Sequence, residues 1–176
     1  MKIGLCGTMS VGKTTLVNAL KGLEQFKGYK FATERSKYLK DLGIPLNTDS
    51  TLKGQTVFLA ERCAELIPSN IITDRTILDV MAFTQNADSI GINSKESFEN
   101  YAKEFLSEYD YIFYISPEGI PIEDNGVRTT DIEYRDLIDF TINMNIQRYS
   151  HRIKNIFQIK GSTEERIKQI LNITEL

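Results

Sequence analysis

Gly7-Thr8-Met9-Ser10-Val11-Gly12-Lys13-Thr14 is the stretch on which the reading of this chain turns. Lys2-Ile3-Gly4-Leu5-Cys6 precedes it and Thr15-Leu16-Val17-Asn18-Ala19-Leu20 follows. The first flank is a short apolar run suited to a buried strand. The second repeats its apolar residues at helical spacing. Gly7 and Gly12 let the backbone curl until successive N–H groups point into one concavity, and the new helix adds its positive end there. Strand, glycine loop and helix together make a cradle for a polyphosphate. Lys13 is placed to reach the β- and γ-phosphates of a nucleoside triphosphate, and the Thr14 hydroxyl to ligate Mg²⁺. The expected nucleotide-binding set is Gly7, Thr8, Met9, Ser10, Val11, Gly12, Lys13, Thr14 and Thr15, with ATP as the ligand.

Working outward, the 176 residues suit one domain, residues 1–176, with a core large enough to fold without staples. Apolar and charged fractions of 41% and 26% are those of an ordinary globular protein, so neither disorder nor a fibrous chain is implied. Cys6 and Cys63 sit inside apolar stretches without C-x-x-C spacing, which reads as buried thiols in a reducing compartment. The first residues run straight into the strand-like stretch, which argues against a cleaved leader. No apolar run approaches the ~20 residues that span a bilayer. The cytoplasm is the expected location and no membrane partner is implied. A net charge of −3 argues against bulk attraction to nucleic acid. The one histidine, His151, lies among Arg148, Arg152 and Lys154, so histidine-based catalysis or metal binding has little material.

The rest of the chain alternates strand-like and helix-like segments. The first helix is expected to end near Gly22 as a C′ residue. Residues 29–34 read as a second strand, 35–42 as a helix stopped by Gly43, and 52–66 as a longer helix. The inner face of that longer helix is expected to carry Val57, Leu59, Ala60, Cys63 and Leu66. Ile71-Ile72-Thr73-Asp74 reads as a buried strand ending in an acid. A helix over 76–85, a loop over 86–94 and a helix over 95–108 follow. Tyr111-Ile112-Phe113-Tyr114-Ile115 reads as the next strand, and 116–131 as an irregular segment with the character of a lid. A helix over 132–154, a strand over 156–159 and a last helix opened by Ser162 and Glu165 complete the chain. The alternation implies an α/β fold: a five-stranded parallel sheet, helices on both faces, and ligands beyond the carboxyl ends of the strands. The glycine loop, Glu34, Asp74 and the 116–131 segment all fall at that end. Asp74 closes an apolar strand beside the loop, where a charged group needs a partner that Mg²⁺ can supply.

Other phosphate-loop classes fit less well. A guanine reader of the form Asn-Lys-x-Asp is absent, Asn93-Ser94-Lys95-Glu96 being the nearest stretch. Asp74 is followed by Arg75 and not by a second acid, which suits clamping of a migrating phosphoryl group. The ordered set Gly7 to Thr14, Thr33-Glu34-Arg35, Gln55, Thr73-Asp74-Arg75-Thr76 with Asp79, Pro117-Glu118-Gly119, Asp124-Asn125-Gly126-Val127-Arg128 and Tyr134-Arg135 resembles the small phosphate-loop kinases of nucleosides and nucleotides. The likeness is to the nicotinamide riboside kinase-like ATPase-domain group and, more distantly, to deoxynucleoside and thymidylate kinases. It spans nearly the whole chain and implies the three-layer phosphate-loop kinase fold with a short lid.

The resemblance also implies roles. Glu34 is similar to the acid that accepts the acceptor hydroxyl's proton, and Arg128 to a lid arginine over the transferring phosphoryl group, with Arg135 a second candidate. Arg35 either binds substrate phosphate or covers surface. Gln55 either reads a base or is a plain surface residue. Arg75 either orients phosphates or pairs with Asp79, itself read as structural. The implied catalytic set is Lys13, Glu34, Arg75 and Arg128; the substrate set is Glu34, Arg35, Gln55 and Arg75; and the metal set is Thr14 and Asp74. Departures from the family pattern are the missing Glu-Pro pair after strand two and Asp-Arg-Thr in place of acid-Arg-Ser. The expected activity is ATP- and Mg²⁺-dependent phosphotransfer to a nucleoside or nucleotide, the partner being a small molecule. Two rivals stand beside it. One is a kinase of a modified base in DNA, which needs a basic trough. The other is an ATP-binding switch without transfer, which has no need of Glu34. A homodimer is left open.

Overall fold

Both faces of a parallel sheet are buried, and its strands here are the short apolar runs of the sequence. The computed structural model describes residues 1–33, 36–122 and 131–176. Its strands are β1 (Lys2–Cys6), β2 (Lys30–Ala32), β3 (Ile71–Asp74), β4 (Tyr111–Ile115) and β5 (Ile156–Ile159). They form one sheet in the order β2-β3-β1-β4-β5, and every neighbouring pair is parallel. The direction of winding reverses at β1, so a crevice opens beyond its carboxyl end, where ligands of open α/β sheets sit. The glycine loop begins there.

Among the described residues seven helices flank the sheet: α1 (Lys13–Lys21), α2 (Ser36–Asp41), α3 (Leu52–Glu65), α4 (Ile77–Gln85), α5 (Ile92–Ala102), α6 (Ile132–Arg148) and α7 (Thr163–Thr174). Alternation along the strands sends their side chains to two cores. Ile3 and Leu5 join Leu16, Val17 and Leu20 of α1 and Ile170 of α7 on one face. Cys6, Ile112 and Tyr114 join Phe58 and Leu59 of α3, most of α4, and Ile138 and Ile142 of α6 on the other. The expected three-layer α/β fold is what the structure has.

Several boundaries differ from expectation for physical reasons. Gly22 ends α1 but stays right-handed, at φ −80, because the chain leaves through a 3₁₀ turn at Glu24–Phe26 and not through a left-handed cap. The inner face of α3 is Gly54, Gln55, Phe58, Leu59 and Arg62, with Ala60 exposed and Val57 and Cys63 half-buried. Apolar counting found Leu59 and Leu66, which are buried, and Val57 and Cys63, which pack against the same core, but it missed the two polar residues that point inward, Gln55 and Arg62. Gly91 accepts from the N–H groups of Ser94 and Lys95, so α5 opens at Ile92 and gives way to a 3₁₀ turn over Lys103–Glu108. The helix expected to run to Lys154 stops at Arg148, and Ser150–Arg152 is a separate 3₁₀ turn. Tyr149 forces that break: its ring is buried and its hydroxyl donates to Glu99 of α5.

Gly4 is the tightest point of the central strand. A methyl group there would lie 2.5 Å from Thr76 Cγ2 and 2.8 Å from a ring carbon of Tyr109. Gly4→Ala is therefore expected to destabilise the fold by about 1–3 kcal/mol through overpacking. Thermal unfolding checks this, each kcal/mol lowering Tm by about 2–4 °C in a domain of this size. An unchanged Tm would show that α4 gives way freely.

Candidate functional site

The loop between β1 and α1 takes a conformation that most side chains resist. Gly12 has φ +83 and Ser10 has φ +60. A Cβ on Gly7 would sit 2.6 Å from the Ile115 carbonyl oxygen, so only glycine lets the loop pass the end of β4 this closely. Lys13, 6% exposed, folds back over the loop and donates to the carbonyls of Gly7 and Thr8 at 2.5 and 2.7 Å. Burial lowers its pKa from the ordinary lysine value, and the Asp79 charge opposes that shift.

Asp79 anchors the arrangement. It is fully buried on α4, accepts from the Gly7 N–H at 3.1 Å through Oδ1, and lies 3.8 Å from Lys13 Nζ. Its Oδ2 accepts from the Thr76 N–H at 2.7 Å and the Thr76 hydroxyl at 2.8 Å, as the capping box of α4. The sequence reading of Asp79 as structural holds, though its partners are the loop, Lys13 and the helix cap. Burial, and then the negative charge of Asp79, push the Cys6 thiol well up, so this cysteine is an unreactive core residue.

Asp74, 1% exposed, receives a hydrogen bond from the Thr14 hydroxyl on Oδ2, while its buried Oδ1 has no hydrogen-bond partner among the described residues. A buried carboxylate oxygen left over beside a threonine hydroxyl is the donor chemistry that a hard divalent cation takes. The Asp74 carbonyl is held from behind by Arg62 of α3 at 3.2 Å. Arg62 is itself 2% exposed and paired with Glu65 at 2.5 Å and Glu61 at 3.9 Å.

Arg75 follows in a left-handed conformation, φ +94, with its N–H on the Leu5 carbonyl at 3.0 Å and its carbonyl accepting from Thr73 Oγ1 at 2.9 Å. A non-glycine residue held there costs of order 1–3 kcal/mol and marks a position fixed by its surroundings. The result is a guanidinium 5.0 Å from the centre of the Phe83 ring, on the wall of a recess shared with Met9, Ser50, Gln55, Phe58 and Arg62. Gln55, offered above as a plain surface residue or a base reader, is 3% exposed and faces this recess.

A second recess runs along the other side of the loop. Ser10, Val11, Gly12, Lys13, Thr14 and Thr15 line it together with Ile120, the Gly161–Thr163 turn and Arg166. Three of the expected nucleotide-binding residues stand elsewhere. Met9 faces the first recess, Gly7 packs under β4, and Thr8 donates through its hydroxyl to the Arg135 carbonyl at 3.1 Å. Arg135, the second lid candidate, is 8% exposed and donates to the Ile120 carbonyl at 2.8 Å, joining α6 to the segment after β4. Glu34, Arg35 and Arg128 lie outside the described residues.

Sequence reasoning missed Arg62 and Arg166. Arg166 is 8% exposed and donates from α7 to the Val11 carbonyl at 2.8 Å, across 155 positions of sequence. Nothing near either residue signals its role, because each contact is made by the fold and not by a local motif.

The fold is shared with known proteins. The model of a family described as an AAA domain matches residues 2–166. No curated protein matches the sequence. Among solved structures, deoxyadenosine kinase from M. mycoides with bound dCTP superposes with a TM-score of 0.70 at 19% identity, covering 99% of each chain. The NadR protein in complex with NAD and AMP-PNP gives 0.74 at 13% identity, and NadR in complex with NR gives 0.76 at 14%. Both cover 99% of this chain but only 49% and 51% of NadR, so the present sequence spans about half that protein's length. Identities this low establish a shared fold.

Proposed function

Because this chain belongs to the AAA-domain family over residues 2–166, with a phosphate loop intact at its start, we propose that it is an ATP- and Mg²⁺-dependent phosphotransferase acting on a nucleoside or nucleotide. The observation that carries the reading is the two-sided site. A polyphosphate cradle closed by Lys13 lies on one side of Asp74, and a recess with Arg75 and Gln55 lies on the other. A switch that only senses nucleotide has no use for the second recess. The printed names of the structural neighbours, a deoxyadenosine kinase and an NR-binding protein, support the same reading.

In this reading the loop amides and the Lys13 ammonium hold the phosphate chain, and Arg75 orients the acceptor side. Thr14 and Asp74 would hold Mg²⁺, which when bound neutralises charge on the transferring phosphates. The acceptor hydroxyl oxygen attacks the γ-phosphorus, the bond from that phosphorus to the bridging oxygen of ADP breaks, and Glu34 takes the hydroxyl proton. Arg128 would close over the transferring group, shielding it from water. The two cysteines are free and no described helix is long and apolar enough to cross a membrane, which is compatible with a place in the cytoplasm.

Labelled ATP offered with a panel of acceptors tests the proposal, since label on an acceptor, on water or nowhere separates kinase, ATPase and switch. Glu34→Gln is expected to lower kcat by about 10²–10⁴, the usual worth of a positioned base, with ATP affinity unchanged by calorimetry. Normal transfer by that variant would remove Glu34 from the mechanism.

A further inference from the structure

Arg166 of α7 is 8% exposed, and among the described residues no carboxylate pairs with it. Burial lowers its pKa from the ordinary arginine value, and no neighbouring charge adds to or opposes that shift. A buried cation without a counter-charge is costly to keep, and a bound phosphate chain is the counter-charge it lacks. Its Nη1 donates to the Val11 carbonyl at 2.8 Å and would stand 3.3 Å from a Cβ on Gly12. Its buried Nε has no acceptor among the described residues. The side chain is held in place from α7. The Arg166 N–H donates to the Ser162 carbonyl at 3.0 Å, and Ser162 and Glu165 exchange the two bonds of the capping box at 2.7 and 3.3 Å. A stiff helix start therefore sets the guanidinium, and the guanidinium sets the loop.

The bond to Val11 acts on the next amide. The Val11 C=O and the Gly12 N–H are the two ends of one planar trans peptide, so they point in opposite directions. With the carbonyl held toward α7, the N–H faces away from it. The Gly12 N–H donates to no group among the described residues, and Gly12 caps α1, whose first N–H groups are the rest of the cradle. A charge-assisted hydrogen bond on the carbonyl also polarises the peptide and strengthens its N–H as a donor. The same side chain lines the recess formed by Ser10 to Thr15. We propose that Arg166 is a positioning residue of the donor site: by holding the Val11 carbonyl it aims the Gly12 N–H at the donor's phosphate chain, and it sets a positive charge beside that chain. Lys13 is the cation that grips the phosphates, and Arg166 works one peptide away. The proposal rests on the loop as a polyphosphate cradle, which belongs to the phosphotransferase reading, and it holds whichever acceptor takes the phosphoryl group.

Calorimetry on the full chain with Mg²⁺ compares ATP with inorganic tripolyphosphate. Arg166→Met keeps a long unbranched stem and removes the charge and the donors. It is expected to weaken both ligands by the same factor, about 10- to 100-fold. In steady state KM for ATP rises by that factor while kcat stays within about threefold, because the Gly12 bond serves bound donor and transition state alike. The Gly12 amide resonance gives a readout that packing alone does not move. It shifts on saturation with tripolyphosphate in the native chain and stays near its ligand-free position in the variant. Arg166→Lys keeps charge and stem, and carries the same test if the methionine variant does not fold. It should lose about three- to tenfold, having one compact donor in place of the planar fork. Native affinity for ATP in a folded variant, with or without a lower thermal midpoint, would overturn the proposal. So would a loss confined to ATP with tripolyphosphate unaffected, which would give Arg166 to the nucleoside. Equal losses for both ligands in a chain that transfers no phosphate would uphold the proposal and remove the kinase reading.

Discussion

Lys13→Ala is expected to abolish measurable phosphotransfer, lowering kcat by at least about 10²–10³, and to weaken ATP binding to the limit of calorimetry. The argument begins with where the ammonium sits. It is held over the loop by the carbonyls of Gly7 and Thr8, 3.8 Å from Asp79, in a place where burial already opposes its charge. A cation held in that place has a use, and among the described residues lining the cradle the only other lysine or arginine is Arg166, which is turned to the Val11 carbonyl. Lys13→Arg should not rescue the loss. A planar fork cannot reproduce a compact ammonium gripped by two carbonyls 2.5 and 2.7 Å away. The fold should survive, because Asp79 keeps three donors from Gly7 and Thr76 when the lysine is removed. A folded Lys13→Ala protein that binds ATP with native affinity would sink the assignment of the loop.

What the sequence disclosed, and what it hid, follows from the range of each interaction. β1, β3, β4 and β5 were legible to the residue, since a buried parallel strand is a continuous apolar run bounded by turn residues. The phosphate loop was legible for the same local reason: its chemistry is written in eight consecutive residues. The capping box of Ser162 and Glu165 was legible too. Helix ends failed where tertiary contacts set them, as at Tyr149, whose hydroxyl is captured by Glu99 fifty residues away. The inner face of α3 was legible in part: Leu59 and Leu66 are buried as read, while Ala60 is exposed and the burial of Gln55 and Arg62 goes against the rule that polar residues face water. Asp79 stood between these cases. It was read as structural, but its cap on Thr76 and its hold on Gly7, 72 positions away, were found only in three dimensions.

That hold makes Asp79→Ala the most damaging substitution we expect for stability. The carboxylate is fully buried and accepts three hydrogen bonds besides facing Lys13. Removing it leaves the N–H groups of Gly7 and Thr76 without that acceptor, deletes the cap of α4 and strips Lys13 of its nearest counter-charge. Removing one partner of a buried ion pair, here 3.8 Å apart, costs about 3–5 kcal/mol. A domain has about 5–15 kcal/mol in all, so the variant should be close to unfolding at 37 °C. Urea denaturation measures the loss as a fall in midpoint. Asp79→Asn separates charge from shape: it keeps one acceptor oxygen but turns an NH₂ toward an N–H donor, so its midpoint should fall between the other two. Nucleotide affinity should fall in parallel in both variants, because the Gly7 amide that opens the cradle is tethered by this carboxylate alone among the described side chains. If Asp79→Ala keeps the native midpoint, the loop holds its shape by backbone geometry. The coupling of α4 to the phosphate site would then be absent.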